Sequence, residues 1–198
     1  MIFLTSKARS RSQPLDMPYL QQQMSIFFQL LAASLFIGIC AQIKIPLYFT
    51  PVPLTGQTFG VLLVSAFQGS QKGALATLLY LLEGCAGLPV WAGGHSGLLH
   101  LLGPTGGYRL AYVLQAYLSG KFLENQPVFS IAKSTSVLFF ICCLQLGLGT
   151  LWLTAFVGTK NVFMMGFYPF IPIELAKSLI ASIYLSRNQS QEIYENYN

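Results

Sequence analysis

The chain has 198 residues, of which 54% are apolar and only 9% charged, whereas an average soluble domain carries about 25% charged residues. So few charges cannot cover a water-soluble surface, and the length leaves room for one compact membrane domain but not for a separate soluble catalytic unit. The net charge of +5 does not point to nucleic acid, because the Lys and Arg residues are scattered through connections with no basic stripe interleaved with aromatics.

A bilayer core of about 30 Å takes roughly 20 apolar residues per helix. Residues 1–23 are polar, contain Lys7, Arg9 and Arg11, and are not followed directly by the short apolar stretch of a cleaved signal peptide. Apolar runs punctuated by Gly and Pro then predict helices at 24–43, 54–69, 72–87, 105–123, 129–157 and 161–187. The second and third are short and joined by the tight connection Gly69-Ser-Gln-Lys72. The fifth is too long to stand upright, which implies a tilt or a break near Gly147 and Gly149. The expectation is an all-α membrane protein: a polar N-terminal segment (1–23), one domain of six transmembrane helices (24–187) and a polar tail (188–198). Cys40, Cys85, Cys142 and Cys143 sit in apolar runs without metal-site or redox spacing, so they read as packing residues.

Six spans put the N-terminus, the 69–72 turn, the 120–130 loop and the C-terminus on one side. That side or its flanks carry Lys7, Arg9, Arg11, Lys72, Lys121, Lys133 and Arg187, which by the positive-inside rule sets both termini in the cytoplasm. The opposite side holds the connections 44–53, 88–107 and 158–172, and within the first two the segments 45–53 and 88–94 are apolar and aromatic rather than polar. Such segments are costly in water. Irregular backbone at membrane depth needs protein or a cavity around it, so these connections are expected to fold back as lids over an outward-opening cavity.

Charges inside apolar runs are costly and mark candidate sites. Glu83, Glu174 and Lys177 are three of them. Glu174 and Lys177 are three apart, share a helix face and follow a bend expected at Pro169 and Pro172. They are either a neutralising packing pair or a clamp in which a carboxylate accepts and an ammonium donates, matched to a solute that presents both N–H and C=O groups. A cyclic urea has that pattern. Glu83, beside Gly84, can instead meet polar groups at its helix end. Thr50, Thr55, Gln57, Tyr80 and Tyr108 are candidates to line the same cavity, with Trp91 as a flat apolar wall.

Catalytic and cofactor signals are weak. His95 and His100 lack a third ligand at metal-site spacing, so no metal is expected. Gly103-Pro-Thr-Gly-Gly107 lacks the Lys-Ser/Thr ending of a phosphate loop, so the chain is not expected to hydrolyse ATP itself. Ser34 and Gly38 form a small-xxx-small pair that permits close approach of a partner or of a neighbouring helix of the same chain.

Three segments together resemble the BioY family, the biotin-specific S components of energy-coupling factor (ECF) transporters. They are Ile45-Pro-Leu-Tyr-Phe-Thr-Pro-Val-Pro-Leu-Thr-Gly-Gln57, Gly87-Leu-Pro-Val-Trp-Ala-Gly-Gly94 with Gly103-Pro-Thr-Gly-Gly-Tyr108, and Pro169-Phe-Ile-Pro-Ile-Glu-Leu-Ala-Lys177. The resemblance implies a six-helix bundle that binds biotin near its outer face under the loops after helices one and three. It also implies uptake driven by a membrane-embedded T subunit and two ATPases, with no enzymatic activity and no cofactor in the chain itself. The motif that such S components present to the T subunit falls on Ser34 and Gly38, where the family usually has two alanines. A second departure is Glu174, preceded by Ile173, where the family has Asp preceded by Gly; Lys177 matches. The alternatives are an S component for another vitamin or small heterocycle, or a membrane-embedded lipid-acting enzyme using Glu83, His95 or His100.

Overall fold

The computed structural model describes residues 17–126 and 130–197; Lys7, Arg9 and Arg11 lie outside them. Chain order runs α1 (Met17–Gln42), a two-stranded hairpin of β1 (Lys44–Ile45) and β2 (Leu54–Thr55), and α2 (Gln57–Cys85). There follow the short α3 (Leu98–Leu101), α4 (Gly106–Glu124), α5 (Ile131–Val157), the short α6 (Val162–Gly166), a 3₁₀ turn (Tyr168–Phe170) and α7 (Ile171–Tyr197).

The expected second and third helices appear as two limbs of α2, separated at Gly69, whose φ of 79° and ψ of −178° break the helical path. Glycine takes that left-handed φ without a Cβ penalty. The two limbs fold onto one another closely: a Cβ on Gly73 would lie 2.9 Å from the Cα of Ser65. With α1, the two limbs, α4, α5 and α7, the described residues form the expected six-helix bundle. α1, α5 and the span Val162–Arg187 are long and apolar enough to cross a membrane; the limbs of α2 and α4 are shorter.

Some boundaries differ from expectation. α1 begins at Met17 rather than 24, and α7 continues to Tyr197, past the end of its apolar span at Arg187. α5 is unbroken at Gly147 and Gly149; its 27 residues rise about 40 Å at 1.5 Å each, so it must tilt in a 30 Å core. Gly149 serves close packing instead, since a Cβ there would lie 2.1 Å from the Tyr108 ring. The sixth run is interrupted at 167–170 as its two prolines suggest, and α7 starts afresh with Pro172 in its first turn, where a missing N–H costs no hydrogen bond.

Packing follows sequence neighbours around α4: α2 packs on α4 and α1, and α5 on α4 and α7. One buried cluster joins Ile37, Val61, Ala76, Tyr80, Trp91 and Ala116, and another joins Tyr108, Leu146, Leu153 and Phe170. Phe28, Ile39, Phe140, Leu151 and Ile180 are left exposed, as the lipid-facing side of such a bundle requires. Contacts also sort the two ends. Glu124 accepts from the Ser70 amide and hydroxyl, Lys72 donates to Gln29, and Phe67 meets Tyr184, which gathers the α2 bend and the ends of α4 and α7. The β-hairpin and the 86–105 connection, the two expected lids, lie at the other end.

Candidate functional site

Beneath those two connections is a cleft with about 460 Å³ of empty space, its mouth included. The floor comes from α7. Glu174 lies in the first turn of that helix, where the positive end of the helix dipole favours a carboxylate, and it is buried to 2% exposure. Lys177 Nζ donates to Glu174 Oε1 at 2.7 Å, to the Thr55 main-chain carbonyl at 2.8 Å and to Thr58 Oγ1 at 2.7 Å. Thr58 in turn donates to Glu174 Oε1 at 2.9 Å.

This network revises the expected clamp. An ammonium has three protons, and all three of Lys177 are committed within the protein, so it is not the free donor anticipated for a solute carbonyl. Glu174 has the spare capacity: Oε1 takes two donors, whereas the buried Oε2 makes no hydrogen bond within the described residues, with the Cys142 thiol the group beside the carboxylate. An unpaired buried carboxylate oxygen is costly, and a ligand N–H would remove that cost.

Thr55, Gln57 and Tyr108 line the cleft. Gln57 is fixed from both ends, its amide nitrogen donating to the Tyr80 hydroxyl and its oxygen accepting from Thr55 and Tyr112 at 3.0 and 3.3 Å. Tyr108 is tied to the Gly166 carbonyl at 2.8 Å and to Thr150 at 3.2 Å. Thr50, Tyr80 and Trp91 do not line it. Thr50 accepts the Val52 amide at 3.2 Å within the hairpin turn, which shapes the lid that delivers Val52 and Pro53 to the wall. Tyr80 stands behind Gln57. Trp91 is fully buried against Gly84, where a Cβ would come within 2.1 Å of the indole, so it anchors the second lid while its neighbour Ala92 faces the cleft.

Five polar wall residues were not anticipated: Thr58, Thr105, Arg109, Tyr112 and Gln145. Arg109 carries the same signal that singles out Glu174, a charge within an apolar run. Its guanidinium stacks over Trp91 at 4.6 Å and donates to the His100 carbonyl at 3.0 Å. The charged residues on the wall are thus Glu174, Lys177 and Arg109, a net positive charge suited to an anionic solute.

Ser34 and Gly38 turn inward. Ser34 is fully buried and donates to Glu83 Oε1 at 2.9 Å, and a Cβ on Gly38 would lie 3.5 Å from Val90. The close approach they permit is made within the chain. Glu83 therefore has a local role, pinning the end of α2 to α1 away from the cleft. His95 and His100 stack at 4.4 Å in the second lid, and no group of three metal-ligating residues occurs among the described residues.

Residues 14–192 match the BioY family. The chain belongs to that family. It is 34% identical to the Biotin transporter BioY of Thermotoga maritima, over 83% of this chain and 98% of that one. It is 35% identical to the Probable biotin transporter BioY of Pyrococcus horikoshii, over 70% of this chain and 82% of that one. Among solved structures, the S-component for biotin from an ECF-type ABC transporter superposes with a TM-score of 0.75 at 25% identity, over 86% of this chain and 93% of that one.

Proposed function

We propose that this chain is a biotin-capturing S subunit of the cell membrane that imports the vitamin together with an ECF module. Biotin unites a cyclic urea with a carboxylate, and the cleft offers the complement of each. The carrying observation is Glu174: a buried carboxylate oriented by Lys177, Thr58 and a helix N-terminus, with one oxygen that no described residue pairs and that a ureido N–H would satisfy. Arg109 supplies the cation for the carboxylate. Thr55, Gln57, Tyr108 and Tyr112 shape the wall around the ring, and Trp91 holds the lid behind it.

In this reading biotin enters from outside, and the 43–56 hairpin and the 86–105 connection close over it. Reorientation of the bundle is driven by a T subunit and two ATPases, since a chain without a nucleotide loop needs an external motor. Lys72, Lys121, Lys133 and Arg187 flank the end opposite the cleft, which by the positive-inside rule supports a cytoplasmic placement of that end and of both termini. The T subunit docks on an exposed helix face, because Ser34 and Gly38 are occupied within the chain.

Titration calorimetry of the purified protein with biotin tests the reading. Saturable binding in the nanomolar range, undiminished by other vitamins in competition, is expected; no heat of binding, or displacement by another vitamin, overturns it. Co-purification of ATPase subunits with the tagged chain tests the motor.

A further inference from the structure

The cleft holds a second open acceptor. Gln145, on α5, lines the cleft and is 2% exposed. Its Nε2 donates to the Tyr108 main-chain carbonyl at 3.2 Å, while its Oε1 is buried and without a partner among the described residues. The amide is not free to turn over, because the flipped form would set its oxygen against the Tyr108 carbonyl oxygen, acceptor against acceptor. Leaving a buried acceptor unpaired carries the full cost of its desolvation, which a ligand N–H would relieve.

Of the residues lining the cleft, Glu174 on α7 and Gln145 on α5 are the two that carry a buried side-chain oxygen without a partner among the described residues. A cyclic urea carries two N–H groups flanking one carbonyl. We infer that Gln145 is a specificity-determining residue that accepts the second ureido N–H while Glu174 accepts the first. The inference rests on the biotin reading above and adds to it. The cleft then counts donors: a ring with a single N–H leaves one of the two acceptors buried and unpaired, and a site built to hydrogen-bond discriminates strongly against the analogue that lacks the group.

The test uses the full-length protein, biotin and the two cyclic carbamate analogues in which one or the other ureido N–H is replaced by a ring oxygen, so that a donor is lost with little change of size. Wild-type protein is expected to bind both carbamates on the order of 10- to 100-fold more weakly than biotin, as loss of one buried hydrogen bond dictates. Gln145→Met, close in size, is expected to bind biotin roughly 10-fold more weakly and to bind one carbamate as well as biotin, while it still discriminates against the other. A carbamate that binds wild type as tightly as biotin overturns the inference even if the variant does not fold. So does a Gln145→Met protein that discriminates against both carbamates as wild type does. If wild type binds no biotin, the biotin reading fails as well, which separates the two failures.

Discussion

Replacing Glu174 by Gln sets hydrogen bonding against net charge, with opposite expected signs. Oε1 accepts from Lys177 and Thr58 at 2.7 and 2.9 Å, so the amide oxygen of the variant must occupy that position to keep both donors satisfied. The amide nitrogen then lands where Oε2 stands open, and an acceptor becomes a donor facing the N–H of the ligand. The loss comprises one charge-assisted hydrogen bond, worth about 1.5–3 kcal/mol, plus an opposed donor pair, for a total of about 3 kcal/mol or roughly 100-fold in Kd. Net charge pulls the other way, since removing a carboxylate from the wall makes the cleft more positive and favours an anion. Calorimetry on purified wild-type and Glu174→Gln protein, with thermal unfolding of the ligand-free forms as a folding control, decides between them. An affinity unchanged or raised refutes the assignment of Oε2 as the ureido acceptor.

Arg109→Gln should weaken biotin about 30-fold, the scale of a lost charge-assisted contact, yet hardly affect biotin methyl ester; an equal loss for both ligands in parallel calorimetry would show that Arg109 acts only by supporting Trp91. Gly84→Ala should lower the thermal midpoint by the equivalent of about 1–3 kcal/mol, the usual cost of overpacking, because its Cβ would meet the Trp91 indole at 2.1 Å; an unchanged melting curve would show that the lid is not seated there. Acidification should open the second lid. His100, in the connection between α2 and α4, is held below its usual value by burial, then by Arg109, His95 and Lys44, so the closed lid favours the neutral imidazole. An opened lid binds the proton more readily, and the closed state, fully favoured above about pH 6.5, loses ground as pH falls from there. Biotin affinity measured from pH 8 to 5 should decline below that point and flatten in His100→Gln, and an identical profile in the variant would remove His100 as the cause.

Much of the fold was legible because lipid enforces simple rules. Apolar runs, Gly69 and the paired prolines located the helices and their breaks, since backbone in a bilayer must be helical or sheltered. The limits lay in contacts that only three dimensions create. The alternation of Ser34 and Gly38 promises close approach but does not say to what, and the chosen neighbours are Glu83 and Val90 of the same chain. Sequence placed Glu174 and Lys177 on one face but left Thr55 and Thr58 out of their pairing, although these two consume the donors of Lys177. Gln145 gave no signal at all, because a glutamine in an apolar helix looks the same whether its amide is spent on a neighbour or half open to a cavity.

The saturation of Lys177 ties recognition to closure. One of its three protons goes to the Thr55 carbonyl, which belongs to the second strand of the lid hairpin, and the other two go to Glu174 and Thr58 on the helices below. The same ammonium therefore latches the lid and aims the carboxylate. Lifting the hairpin removes one acceptor from a partly buried cation, a costly state, so the network favours the closed lid. Lid closure and the aim of Glu174 thus depend on one side chain, so a substitution at Lys177 should disturb gating and affinity together, whereas one at Gln145 should disturb affinity alone.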